Sequence, residues 1–398
     1  MILADEKQQP TPELIEAIRR RFPTERLVDE TLTAKMRRRG NGRHRPQSLE
    51  QVSERLRAFL AQRIRGELRV TDIRSIAGGS SKEQYAFRLS WTDEKGTPRD
   101  EQLVLRMRPT ASVVETHPLR EYQALAAVRD TLPVPPLYWI DPEGRELGQP
   151  ALIYGFCEGI TKPPREGAYN PRGGYGPGYR ALLAPQFVRY LAELAKFDWR
   201  SADMSAFEPP RPGSNEGVIA SINWWARVWE EDCLERNPLI TLATQWLREH
   251  APPIDYVSIV HQDFRGGNFL FDPADGRITA LLDWELVTLG DRHVDLAFLL
   301  SPLFAETLDD GQVMAGGLLT KEALLEDYQR LSGLPVDPAR LAYYTVFTCW
   351  RGAINSTATA ARVIAGQQTH QDLRVGWLLG TAPTLLKTLR ELLVEATR

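Results

Sequence analysis

The stretch "HQDFRGGNFLFD", His261 to Asp272, followed by "DWE", Asp283 to Glu285, decides how the rest of the chain is read. Before it, "YVSIV" reads as a short apolar strand. Within and after it, "NFLF" and "ITALLD" read as two strands joined by "DPADGR", whose Pro, Asp and Gly make a turn. Pairing of these strands around that turn places Asn268 beside Leu282 and Asp283. An amide oxygen and a carboxylate then meet at the open end of a hairpin. Both are hard oxygen donors, the type Mg2+ takes when the protein supplies few ligands and water and phosphate supply the rest. Asp263 precedes Asn268 by five residues, close enough to reach the same place without being forced onto the metal, and is positioned as a base.

An Asp that takes a hydroxyl proton, an Asn that holds metal and an Asp on the next hairpin that holds the metal bridging the phosphates make up the kinase catalytic loop. The pattern HxDxxxxN followed by DWE more specifically resembles the aminoglycoside phosphotransferase and choline kinase family of small-molecule kinases, over about residues 70–350. The resemblance implies a two-lobed, protein-kinase-like α+β fold with a small amino-terminal lobe of antiparallel sheet and one helix, and a larger, mainly helical carboxy-terminal lobe. It implies ATP and Mg2+ as cofactors, Asp263 as the catalytic base, and Asn268 and Asp283 as metal ligands. Gln262 stands where Gly is usual in this family, a change that alters the loop backbone but removes no ligand. Glu285 either binds a second Mg2+ or pairs with a nearby group. His261 is expected to pack and hold the loop, and Asp291 and Asp295 to cap and anchor the next helix.

Outward from the loop, the period changes along the chain. Residues 1–68 read as a helical extension: Thr11 and Pro12 start one helix, and Ser48 with Gln51 forms a capping-box pattern ahead of Val52, Leu56, Phe59 and Leu60. From residue 69 the pattern alternates. "QYAFRLSW", the turn "DEKGTPRD" and "EQLVLRMR" read as a hairpin, and "ALIYGF" as a buried strand, giving an amino-terminal lobe over 69–156. In "IAGGSSKEQYAF", Gly78, Gly79, Ser80 and Ser81 lie between two strands, where backbone N–H groups can approach phosphate oxygens. Two glycines alone usually mean only a turn. By the family resemblance, Arg106 occupies the strand position of the phosphate-binding Lys, with Glu121 on the next helix to orient it, and Arg108 is an alternative on the same strand face. An Arg keeps the charge and can bond phosphate through two N–H groups. The resemblance also makes "ALIYGFCEG" the interlobe link, with adenine bonded near Tyr154 to Phe156. The carboxy-terminal lobe then covers 157–398, with helices over Pro185 to Phe197, Ile219 to Glu235, Leu239 to His250, Lys321 to Ser332 and from Asp337 onward. The Gly, Pro and Tyr content of Thr161 to Arg180 predicts a mobile loop without regular structure.

Composition narrows the class. The chain has 398 residues, 42% hydrophobic and 25% charged, which suits two folded lobes. A net charge of -3 gives no global attraction to nucleic acid, and the basic run "KMRRRGNGRHR", Lys35 to Arg45, reads as a solvated connection more readily than as a nucleic-acid arm. Cys157, Cys233 and Cys349 are odd in number and far apart, as expected of free thiols in a reducing compartment. The opening "MILADEKQQP" has no apolar core and no run reaches the roughly 20 residues of a membrane span; a soluble, cytoplasmic protein without membrane or nucleic-acid partners is expected.

The family resemblance implies a small-molecule hydroxyl as acceptor. The strip from "GGSSKEQYAF" through "HQDFRGGNFLFD" to "DLAFL" looks especially like the kinase-like domains fused to, or encoded beside, certain acyl-CoA dehydrogenases, a branch implicated in phosphorylating hydroxyacyl-CoA. Trp224, Trp225 and Trp229 form a helical stripe that is either core or an apolar cleft wall, and no dense acidic run suited to a polycationic aminoglycoside appears beyond "WEEDCLE" and "EALLED". The rivals are an aminoglycoside acceptor and a pseudokinase that holds nucleotide without turnover.

Overall fold

The computed structural model describes residues 4–39, 47–76, 82–109, 112, 114–163, 175–308, 310–366 and 376–397. The chain opens with α1 (Ala4–Gln8), α2 (Pro12–Arg21), α3 (Arg26–Arg39) and α4 (Leu49–Ala61). The Thr11 hydroxyl accepts from the Leu14 N–H to cap α2, and Ser48 and Gln51 close a capping box on α4. These helices serve different cores. Ile15, Ile18, Phe22, Leu32 and Met36 join the large core of the carboxy-terminal helices, whereas Val52, Leu56, Phe59 and Leu60 pack on the amino-terminal sheet. The expected extension over 1–68 therefore divides between the lobes.

That sheet contains β1 (Leu68–Ser75), β2 (Glu83–Thr92), β3 (Pro98–Met107), β4 (Leu137–Asp141) and β5 (Ala151–Gly155), in the order β1-β2-β3-β5-β4, with every neighbouring pair antiparallel. Helix α5 (Pro118–Val128) lies between β3 and β4 in the chain. Strand alternation sorts the faces: Tyr85, Phe87, Leu89, Leu103 and Leu105 meet α4, while Val104, Leu152 and Tyr154 form a separate cluster on the other face. Arg106 shares that second face with Val104 and lines the cleft between the lobes.

The carboxy-terminal lobe holds α6 (Pro177–Lys196), α7 (Glu216–Asp232), α8 (Pro238–Glu249), β6 (Val257–Val260), β7 (Phe269–Phe271), β8 (Ile278–Leu281), β9 (Thr288–Asp291) and α9 (His293–Leu299). Three short strands follow, β10 (Glu306–Thr307), β11 (Val313–Ala315) and β12 (Leu319–Thr320), then α10 (Lys321–Ser332), α11 (Pro338–Ile354), α12 (Ala360–Gly366) and α13 (Gly376–Ala396). Helix α6 starts at Pro177, not Pro185, which sits inside it; buried Leu183, Phe187 and Val188 hold the helix through the proline. Of the segment expected to be an irregular loop, 164–174 lies outside the described residues. Its end is ordered, with Tyr175 stacked on Phe269 and Arg180 paired with Glu306 at 2.6 Å. Among the described residues no helix is long and apolar enough to cross a membrane.

The basic run is not a solvated face where it is described. Lys35 is buried against Glu231 at 2.6 Å and Asp232 at 3.1 Å, Arg39 bonds Asp232, and Arg38 meets Glu115 at 3.2 Å. Lys35 and Arg39 thus clamp α3 to α7 through the last two "WEED" acids, while Arg38 ties α3 to Glu115 ahead of α5. Residues 40–46 of the run lie outside the described residues. Burial alone would push the Asp232 carboxyl up, but Arg362, Lys35 and Arg39 hold it far below the usual range. Its stabilising contribution is therefore complete above the unfolded value of about 4 and is lost as the pH falls below it. Asp232→Asn is expected to cost about 3–5 kcal/mol at neutral pH, because it strands several buried cations. Urea unfolding at neutral pH and near pH 3 checks this: the variant should be weaker at neutral pH and show a smaller acid loss. Equal midpoints for variant and parent at neutral pH would count against it.

Candidate active site

After β6 the chain turns back on itself through Gln262, whose φ of 68° lies in the left-handed region. The turn is held from below by Asp295 on α9, whose two oxygens accept the His261 and Gln262 N–H groups at 2.8 and 2.7 Å. Asp295 thus anchors the loop as well as sitting in its own helix, while Asp291 accepts the His293 N–H at 3.0 Å and meets Arg340. Burial pushes the His261 imidazole down to about 4, so the ring is neutral at ordinary pH. Its Nε2–H donates to the Leu282 carbonyl at 3.0 Å and its Nδ1 accepts from the Asp263 N–H at 3.3 Å. With Phe264 and Trp284 around it, the ring ties the loop to the hairpin.

Gln262 in place of the usual Gly has a physical counterpart in Arg351 of α11. The guanidinium donates to the Gln262 side-chain oxygen and, at 2.7 Å, to its carbonyl, while the Gln262 amide donates to Thr288 at 2.8 Å. Arg351 is buried between Phe298 and Trp225, and burial pushes its pKa down to about 10. Arg351→Met is expected to lower stability by about 1.5–3 kcal/mol, the scale of hydrogen bonds to a charged group. It should also lower kcat with little change in the KM for nucleotide, since the loop and not the cleft is loosened. Denaturant melts and steady-state kinetics test both; a drop in nucleotide affinity alone would contradict this role.

The hairpin forms in the expected register. Phe269 pairs with Leu281, and the Leu282 N–H donates to the Asn268 carbonyl at 2.8 Å. Gly267, at φ 93°, makes the bend that places Asn268 just ahead of β7, a conformation a side chain would strain. Asn268 donates its amide to Asp263 Oδ2 at 2.6 Å, and Arg265 Nε donates to Asp263 Oδ1 at 2.9 Å. Across the cleft, Arg106 Nη2 donates to Asp283 Oδ1 at 2.6 Å, and its Nε lies 3.4 Å from Glu121. The structure thus gathers Asp263, Asn268 and Asp283, placed by spacing, with Arg106 and Glu121, placed by the family resemblance. Gly78, Gly79, Ser80 and Ser81 lie outside the described residues.

The two aspartates diverge electrostatically. Burial drives the Asp263 carboxyl up to about 6, with Arg265 pulling it down and Asp283 pushing it up. Asp283 is also opposed by burial, but Arg106 holds it below the usual carboxylate range. Such a split between neighbouring carboxyls separates a proton acceptor from a group that stays ionised. Burial likewise lifts Glu121 to about 7.

The cleft encloses about 630 Å³ and is lined on its apolar side by Val104, Tyr154, Phe156, Leu270 and Leu281, a setting for a flat base. The N–H groups of Gly155 and Phe156 are already given to the Pro136 and Gln102 carbonyls at 2.7 and 2.9 Å. Backbone donors at these two positions are therefore already engaged, so the expected adenine contact near Tyr154 to Phe156 falls to the other backbone groups of that segment. On the polar side, Asn268 Oδ1 and Asp283 Oδ2 accept no hydrogen bond among the described residues, and both residues line the cleft. Two free hard oxygens fit a Mg2+ that takes its remaining ligands from water and phosphate. Among the described residues no group of three or more His, Cys, Asp or Glu side chains is arranged to hold a metal by itself. Glu285 is turned to Lys82 at 2.5 Å and lies 3.6 Å from Arg106, so the structure gives it ion pairs.

Sequence reasoning passed over Lys82, Arg265 and Arg351. Lys82 directly follows the Gly-Ser segment, and its buried amine ties Glu285 to Thr116 at 3.2 Å. Arg265 was visible as the one cation inside the loop. Arg351 carried no local signal. The Trp stripe proves to be core: Trp224, Trp225 and Trp229 are all buried.

Comparison with known proteins agrees with this geometry. Residues 72–344 match the family described as the phosphotransferase enzyme family. A Ralstonia eutropha protein provisionally assigned as an aminoglycoside phosphotransferase superposes with a TM-score of 0.61 at 23% identity, covering 85% of this chain and 97% of that one. Choline kinase from Streptococcus pneumoniae gives 0.50 at 14% identity, covering 84% and 99%. Among curated proteins, acyl-CoA dehydrogenase family member 10 of Mus musculus is 25% identical over 73% of this chain and 26% of its own length. A probable acyl-CoA dehydrogenase of Arabidopsis thaliana is 28% identical over 66% of this chain and 33% of its own length. The chain thus spans about a quarter to a third of these two relatives. With a kinase-like antiparallel sheet over a helical lobe and a family match over most of its length, the chain belongs to the phosphotransferase enzyme family.

Proposed function

We propose that the protein transfers the γ-phosphoryl group of ATP to a hydroxyl of a small molecule in the cytoplasm, with a hydroxyacyl-CoA or another largely apolar alcohol as acceptor. The observation that supports it most is the pair of free oxygens, Asn268 Oδ1 and Asp283 Oδ2, on the same cleft wall as Asp263. In this reading Asp263 accepts or orients the hydroxyl proton, Asn268 and Asp283 hold Mg2+, and Arg106, set by Glu121, meets the phosphates. The metal, when bound, supplies charge neutralisation of the phosphates. The protein's part is to orient the acceptor hydroxyl at Asp263 and to keep Asp283 ionised through Arg106.

Support for the acceptor class has changed in kind. With the Trp stripe in the core, it comes from the sequence strip and from curated relatives named as acyl-CoA dehydrogenases. Glu230, Glu231 and Asp232 are buried and paired with cations, so they offer an aminoglycoside no acidic surface. Lys35, Arg38 and Arg39 each pair with a carboxylate of the protein, Glu231, Glu115 and Asp232 in turn. An ADP-release screen with hydroxyacyl-CoA thioesters, aminoglycosides and amino alcohols, with mass spectrometry of the product, tests the reading. Higher kcat/KM on aminoglycosides with none on thioesters overturns the acceptor class, and no ADP release with any acceptor favours a pseudokinase.

A further inference from the structure

Arg106 near the end of β3 and Arg108 just past it continue the same alternation, about 6–7 Å apart along the chain. Their surroundings differ. Arg106 is surrounded by three carboxylates, Glu121, Asp283 and Glu285. Arg108 has Glu115 at 4.0 Å and the Thr116 carbonyl at 3.5 Å, and its side chain is only 10% exposed. Glu115 is not its own: Arg38 of α3 bonds the same oxygen at 3.2 Å. Arg362 of α12 reaches the Ser112 carbonyl at 3.0 Å and Asp232 at 3.2 Å, and acts on Glu115 with the others. Once Arg227 is balanced by Asp29, five cations (Lys35, Arg38, Arg39, Arg108, Arg362) are in direct contact with three carboxylates (Glu115, Glu231, Asp232) among the described residues, an excess of two positive charges at contact range, with Glu143 acting on Arg108 from farther off. The Nε atoms of Arg38, Arg108 and Arg362 are buried and make no hydrogen bond of good geometry among the described residues, although Arg362 Nε lies 3.2 Å from Asp232 and Arg108 Nε 4.0 Å from Glu115.

Buried guanidinium N–H groups left without a well-formed hydrogen bond are costly and rare, and the arginine fork matches phosphate oxygens. An excess of two positive charges matches the near-double charge of a phosphate monoester. Arg38 is 29% exposed, which leaves the group open to solvent on that side. Lys82 links this place to the catalytic centre, since its amine meets Glu285, the Val114 carbonyl and Thr116. We infer that Arg38, Arg108 and Arg362 form a second oxyanion site, separate from that of Arg106, for a phosphate monoester carried by the acceptor. The assignment to the acceptor rests on the proposed function; the anion site itself does not.

The test is calorimetric titration of the full chain, saturated with Mg2+ and a non-hydrolysable ATP analogue, with coenzyme A, its 3′-dephospho form and inorganic phosphate. Coenzyme A should bind about tenfold more tightly than the dephospho form, and Arg108→Gln or Arg362→Gln should each remove that margin, on the scale of a lost charge-assisted pair. Binding of the ATP analogue should stay unchanged in both variants, which also shows that they fold, and Arg108→Lys should recover part of the margin. Coenzyme A binding that is absent, or unaffected by both substitutions, overturns the site. Equal binding of the two coenzyme forms with tight inorganic phosphate at the same arginines overturns the acceptor as its source. If the margin is found but no hydroxyacyl thioester is phosphorylated, the acceptor class fails and the oxyanion site stands.

Discussion

Asp263→Asn is expected to abolish turnover while Mg2+ and ATP still bind. Both carboxylate oxygens already take one donor, Oδ1 from Arg265 and Oδ2 from Asn268, and an ionised carboxylate has about four lone-pair sites, so room remains for an acceptor hydroxyl. An amide at this position keeps the shape but loses the proton acceptor. One of its atoms becomes an NH2 group facing either Arg265 or Asn268, both donors, so the local arrangement is disturbed without touching the metal oxygens. A positioned general base contributes on the order of 10² to 10⁴ in rate, and the loss should fall in that range. Burial has raised the free carboxyl to about 6, and the reactive form is the ionised one. In the parent, kcat/KM, which reports the free enzyme, should therefore be full above that value and fall tenfold per pH unit below it. ADP release and nucleotide calorimetry read the two halves of the result. A variant within a few-fold of the parent rate would remove Asp263 from this role.

How much of this site could be read from the chain follows from the range of the forces involved. The hairpin was legible because strand alternation and the "DPADGR" turn are local, and the register they imply is the one that puts Asn268 beside Leu282. The left-handed turn at Gln262 was only half legible. A missing Gly could be noticed, but its counterpart, Arg351, stands 89 positions later and reaches it only through the packing of α11. The same limit explains the basic run. Lys35 looks solvated in sequence because Asp232, 197 positions away, is invisible until α3 lies on α7. Trp225 and Trp229 share a helical face, and period alone cannot say whether that face meets a cleft or a core; here it meets the core. The role of Glu285, left open, and the division of the 1–68 extension between two cores both turned on long-range contacts, which no local pattern encodes.

Asp283→Ala should act on binding where Asp263→Asn acts on rate, and its sign depends on whether metal is present. Asp283 occupies a left-handed backbone position, φ 66° and ψ 51°, which Asp and Asn tolerate better than Ala. Asp283→Asn is therefore the companion variant, removing the charge without the backbone cost. In the parent, Arg106 neutralises one oxygen of Asp283 and the other stands free on the cleft wall. Loss of the carboxylate removes the one strongly charged oxygen available to Mg2+. Outer partners of metal ligands cost 10- to 100-fold in affinity when changed, so loss of a direct ligand should weaken Mg2+-dependent ATP binding by at least about 100-fold. Without Mg2+ the expectation reverses. The carboxylate then only repels the phosphates, and its removal frees Arg106 for them, so metal-free ATP should bind the variants as well as, or better than, the parent. Calorimetric titration with and without Mg2+ separates the two cases. If both variants bind Mg2+ and ATP as tightly as the parent, Asp283 is not the metal ligand, and Arg106 holds it for structural reasons alone.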